Sequence, residues 1–173
     1  MICNISKAAN VKALIVAAAA HGFVPLLVAS DHLSESDCMM LKPSRGGEDH
    51  VPTDDSSTVP VIEDVNVYRA ATMDALLGFL STHDVPLVGI EILPDAKSVT
   101  ADDAFSSTKL ALMPGNEGTG MHVAHKAHCS SFVYIPHYGA GGTGSLNVSI
   151  AATIVMGCFC EWQEGTKGAA ALS

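Results

Sequence analysis

The chain has 173 residues, 48% hydrophobic and 16% charged, which is one globular domain's worth of sequence and excludes a disordered chain. Asp and Glu number 18 against 9 Lys and Arg, a net charge of −9. That sign is the opposite of what a lone nucleic-acid binder needs to hold phosphates.

Taken in chain order, Met1–Ser6 predicts a short strand or lead-in. Asn10–His21 predicts a buried helix, with Asn10 able to cap its start and Gly22 to end it. Val24–Ala29 is a short apolar run that predicts a buried strand. Ser34–Leu41 fits a short helix. Pro43–Val65 gathers Glu48, Asp49, Asp54, Asp55, Glu63 and Asp64 with no Lys or Arg between them, so an acidic surface insertion at about 48–65 is expected. Tyr68–His83 carries Met73, Leu76, Leu77 and Leu80 at helical spacing. Pro86–Leu93, Lys109–Met113 and Phe132–Ile135 predict strands, and Leu146–Trp162 a long buried helix. Alternating strands and helices predict a single α/β domain over 1–173 with a mostly parallel sheet.

The five cysteines, Cys3, Cys38, Cys129, Cys158 and Cys160, are odd in number and irregular in spacing. They point to a reducing compartment and not to a disulfide framework. Lys7 and Lys12 before the apolar run Ala13–Ala20 resemble a secretory signal, but a capped buried helix explains the segment better. The run is also too short to span a bilayer. An intracellular protein, cytoplasmic or nuclear, with no membrane association is expected.

Gly139-Ala140-Gly141-Gly142-Thr143-Gly144 spells the dinucleotide fingerprint. That fingerprint needs a second strand after the helix, and the sequence offers none. A glycine loop that lets backbone approach a ligand fits better. His122, His125 and His128 recur every third residue beside Cys129, a spacing that suits an exposed helix face or loop better than a zinc site; no metal is expected. Ser130-Ser131 lacks the setting of a hydrolase nucleophile.

Two segments, Leu110-Ala111-Leu112-Met113-Pro114-Gly115-Asn116-Glu117-Gly118-Thr119-Gly120-Met121 and Ile135-Pro136-His137-Tyr138 followed by Ser145-Leu146-Asn147-Val148-Ser149-Ile150-Ala151, are strand ends that feed loops. Ligand sites of open α/β sheets lie at such places. Together they resemble motifs two and three of the TrmH (SpoU) branch of the SPOUT methyltransferases. Asn10-Val11-Lys12 through Ala18 and Gly22 is similar to the weaker first motif, and Pro43-Ser44-Arg45-Gly46-Gly47-Glu48 resembles a further family turn. The spelling Gly115-Asn116-Glu117 and the stretch Val88–Ser98 are most similar to the catalytic domain of eukaryotic tRNA guanosine-18 2′-O-methyltransferases. The resemblance implies a C-terminal trefoil knot, S-adenosylmethionine bound in it, a homodimer, and RNA, tRNA above all, as substrate. By motif match Gly115, Ile135 and Leu146 hold the cofactor, chiefly through backbone atoms, and Met113, Asn116 and Ser145 line it with His137. Glu117, Asn147, Asn10 and His137 are the expected catalytic set.

Three departures qualify the resemblance. The first-motif arginine falls on Val16, and the motif glycine on Lys12. A ribose hydroxyl is a very weak acid, so methyl transfer to it needs a base or a strong positive field, and valine supplies neither. His137 stands where methionine is usual, and histidine titrates near neutral pH. The loop before Ser145 is longer and richer in glycine. An active ribose methyltransferase with a relocated base is the first expectation. A weak or silent domain that binds cofactor or RNA within a larger assembly is the alternative. With the two arginines Arg45 and Arg69, a further domain or partner is expected to supply basic surface.

Overall fold

The computed structural model describes residues 1–3, 5–28, 67–70, 72–116, 118–139 and 144–170. The expected helix Ser34–Leu41, the acidic insertion, Arg45, Glu117 and the centre of the glycine loop lie outside the described residues.

The strands are β1 (Leu26–Val28), β2 (Tyr68–Ala70), β3 (Leu87–Ile90), β4 (Lys97–Ser98), β5 (Ala111–Pro114) and β6 (Ser131–Tyr134). The helices are α1 (Ala8–Ala20), α2 (Met73–Thr82), α3 (Val123–Lys126) and α4 (Val148–Ala170). Strands β4-β6-β3-β5 form one sheet and β1-β2 another, and every pairing is parallel. The N-terminal segment joins the two. Ile2 bridges Leu27, with Ile2 N donating to Leu26 O at 2.7 Å and Val28 N to Ile2 O at 3.1 Å, while the Met1 amine donates to the Leu112 carbonyl beside it.

Successive side chains of a strand face opposite ways, and the two cores follow from this. Val88, Ile90 and Leu112 join the larger cluster with Leu14, Ile15, Val155 and Phe159 of α1 and α4. Leu87, Ala111 and Met113 face the other way, with Leu80 of α2 and Met121. Burial on both faces explains why β3 and β5 are apolar without alternation. Gly89 of β3 is required by this packing, because a Cβ there would lie 2.5 Å from the Phe132 ring.

Three expectations need correction, and one strand is added. Tyr68–Ala70 is a strand, and the helix starts only after Thr72, whose Oγ1 accepts from Ala75 N at 3.2 Å. Asn10 does not cap α1; Lys7 holds that position without a side-chain bond, and Asn10 is buried. The C-terminal helix begins at Val148, not Leu146, and runs to Ala170. Lys97–Ser98 adds a strand beside β6 that its two residues were too short to announce. Gly22, at φ 72°, does end α1 as expected.

Candidate functional site

Parallel strands put their C-terminal ends on one edge, and here Glu91, Gly115 and Ile135 leave β3, β5 and β6 side by side. The register sets Ile90 opposite Pro114 on one side and Val133 on the other. A cleft of about 320 Å³ opens at that edge. Its lining includes Gly115, Asn116, Ile135, His137, Ser145 and Leu146, residues scattered over thirty-odd positions of sequence.

The turn after β5 is built largely from its own backbone. Asn116 and Gly120 exchange N–H to carbonyl bonds, each at 3.1 Å. Asn116 Oδ1 accepts from Gly118 N at 2.9 Å and Thr119 N at 3.3 Å. Gly120 turns the chain at φ 68°, a conformation that suits glycine. Glu91 sits beneath this turn. Its Oε2 accepts from Met121 N at 2.6 Å and its Oε1 from Ile92 N at 3.2 Å. A Cβ at either Gly115 or Gly120 would stand 2.8 Å from Oε2. Both glycines are therefore fixed by the same carboxylate.

The opposite wall is the entry to α4. Asn147 Oδ1 accepts from Ser149 N at 2.9 Å and from Ile150 N at 3.4 Å, capping the helix. Its Nδ2 donates to Asn10 Oδ1 at 3.2 Å. The two asparagines thus tie α1 to the start of α4, and neither lines the cleft. Met113 does not line it either; it is 1% exposed, in the core. Its motif match followed the strand, but its place in the pleat points it away. Glu91, Thr119 and Val148 do line the cleft and were not singled out from sequence. A lone Glu inside the apolar run Val88–Leu93 was the available signal. Val16, where the first-motif arginine is expected, is 52% exposed.

His122, His125, His128, Trp162 and the described cysteines fall outside the cleft. His122, His125 and His128 lie on and around α3. Burial lowers the His125 pKa, helped by the nearby His122 and His128. Trp162 packs on Phe105 and Phe159 within the chain and donates from Nε1 to Asp102 O at 2.9 Å. Among the described residues Cys3, Cys129, Cys158 and Cys160 are free thiols. No helix among the described residues is long and apolar enough to cross a membrane.

The profile of the SpoU rRNA Methylase family matches residues 1–157. The chain belongs to that family. Among curated relatives of this SpoU domain, a 23S rRNA (guanosine-2′-O-)-methyltransferase, RlmB, of Yersinia pestis is 28% identical over 151 residues, covering 85% of this chain and 52% of its own. An uncharacterized tRNA/rRNA methyltransferase of Mycobacterium avium is 26% identical over 162 residues, covering 94% of this chain and 46% of its own. The chain thus spans about half the length of the curated relatives it matches. Among solved structures, the SpoU methyltransferase AviRb of Streptomyces viridochromogenes, in complex with AdoMet, superposes with a TM-score of 0.67 at 20% identity, over 95% of this chain and 59% of that one. That likeness establishes the shared α/β fold with its parallel sheet.

Proposed function

We propose that this chain is the methyltransferase domain of an S-adenosylmethionine-dependent RNA 2′-O-ribose methyltransferase. The observation that carries the reading is the convergence of Gly115, Ile135 and Leu146 on one cleft at the C-terminal strand edge. The cleft suits an adenosine-type ligand. Its volume falls in the range of small-molecule sites, and its walls combine glycine backbone and apolar side chains with a few polar groups, among them Asn116 and Ser145. At Gly115 a side chain would collide with Glu91. Bound there, S-adenosylmethionine supplies an electrophilic methyl group. The backbone of the turn after β5 and of the segments at Ile135 and Leu146 would hold the nucleoside, with Asn116 and Ser145 beside it.

His137 is the candidate base for the ribose hydroxyl, because it lines the cleft and its side chain is exposed to an incoming RNA. Glu117 belongs to the second motif, beside Gly115 and Asn116. Asn10 and Asn147 act by fixing α1 against the α4 entry. The knot is proposed for the C-terminal segment that carries Ile135 and Leu146. We favour tRNA over rRNA on the spelling Gly115-Asn116-Glu117 and the Val88–Ser98 stretch alone. A homodimer is proposed on α4, which exposes Ile150 and Ile154 one turn apart, with Val16 exposed on α1. The basic surface that RNA requires would come from a further domain or a partner.

Calorimetric titration with S-adenosylmethionine, followed by transfer of labelled methyl to tRNA and to 23S rRNA in parallel, tests this. Saturable binding and nuclease-resistant 2′-O-methyl product on tRNA are expected. Product on rRNA alone would overturn the substrate, and no binding would overturn the function.

A further inference from the structure

We propose that Glu91 is the residue by which the cleft distinguishes the positively charged sulfonium cofactor from its uncharged thioether product. This rests on the methyl-donor reading of the same cleft. Among the described lining residues Glu91 is the one carboxylate, and no lysine or arginine accompanies it. The rest of the lining is glycine, apolar side chains, Asn116, Thr119, Ser145 and His137. S-adenosylmethionine and S-adenosylhomocysteine share their nucleoside and amino-acid ends and differ by a methyl group and one positive charge. A cleft of neutral groups would feel little of that charge. A fixed carboxylate in its wall attracts it, and the attraction vanishes when the methyl group has left.

The carboxylate is also held in place before any ligand arrives. Oε2 takes the Met121 N–H at 2.6 Å and stands 2.8 Å from where a Cβ on Gly115 or on Gly120 would be. Oε1 accepts from Ile92 N at 3.2 Å. Backbone donors therefore set the position of the charge, and a preorganised group gives its full electrostatic effect without reordering. One carboxylate has two separable tasks here. It clamps the turn through hydrogen bonds, which an amide oxygen can also accept, and it supplies charge, which an amide cannot.

That separation defines the test. Wild type, Glu91→Gln and Glu91→Asp are titrated calorimetrically with S-adenosylmethionine and with S-adenosylhomocysteine, and thermal unfolding confirms that each variant is folded. Glu91→Gln keeps the Met121 bond and removes the charge. It should lower the affinity ratio of cofactor to product about tenfold, as one unit charge at several ångströms in a partly screened site implies, with product affinity nearly unchanged. Glu91→Asp keeps the charge on a shorter arm that cannot reach Met121 N, and should weaken both ligands together. Equal weakening of both ligands in Glu91→Gln, or no weakening of either, would overturn the inference while leaving the cleft's function intact. Failure of wild type to bind either nucleoside would overturn the function as well.

Discussion

His137 lines the cleft yet stays exposed, and Val16 holds the place where the resemblance calls for arginine. If His137 is the base, His137→Ala should cut methyl transfer by about 10²-fold or more with cofactor affinity changed only slightly. Single-turnover transfer beside a binding titration reads both, and full turnover in the variant would remove His137 from the mechanism. Cys129 offers a second test at this scale. Burial pushes its thiol up to about 11, above the ordinary value for cysteine. The unfolded chain therefore loses this proton first as pH rises, and stability should fall between about pH 9 and 11. Cys129→Ala should flatten that alkaline limb of a thermal-midpoint profile. An unchanged slope would mean that the thiol titrates alike in both states. Alkylation of native Cys129 at pH 8 should likewise be slow.

At the scale of elements, the α1–α4 contact turns on one asparagine pair. Asn147 caps α4 through Oδ1 and reaches the buried Asn10 through Nδ2. Asn147→Ala removes the cap and one partner of a buried amide, and should cost about 1–2 kcal/mol in urea unfolding. A loss below about 0.3 kcal/mol would show that water replaces both contacts. The motif spelling Ser145-Leu146-Asn147 brought Asn147 to notice from sequence, but as a group near the reaction. Its helix-capping task was legible too, since Asn followed by an apolar run is a start signal. The strands β3 and β5 were readable because burial on both faces leaves unbroken apolar runs. The helical spacing of Met73 to Leu80 runs backwards onto the strand Tyr68–Ala70 unless Thr72 marks the helix start. Glu91 carries little local signal, because its partners, Met121 N and the two glycines, are distant in sequence and meet it only through the pairing of β3 with β5.

For the whole molecule, the apolar residues left outside the core bear on assembly. Ile150 is 52% exposed and Ile154 38%, adjacent on one face of α4. A twofold axis beside this face would bury both residues from each copy. Light scattering at micromolar concentration should give twice the chain mass, and Ile150→Asp should return the single-chain mass without unfolding. A wild-type monomer would contradict the dimer. With a net charge of −9, the chain by itself should also bind RNA weakly. Complementary charge is expected from the further domain or partner proposed above.

The bond between Asn10 and Asn147 spans 137 residues, and helix α1 packs along α4. Among the described elements, the helix made first rests on the helix made last. Distant contacts of this kind delay folding, because the intervening chain must close before they form. On the ribosome, α1 would emerge and wait with Val11, Leu14 and Ile15 uncovered, a state in which chaperones bind and proteases cut. Nascent chains halted before Val148 should therefore be cleaved within α1, and chains released with α4 complete should resist. The order of synthesis thus works against the order of assembly, and this domain should acquire its stability late and all at once.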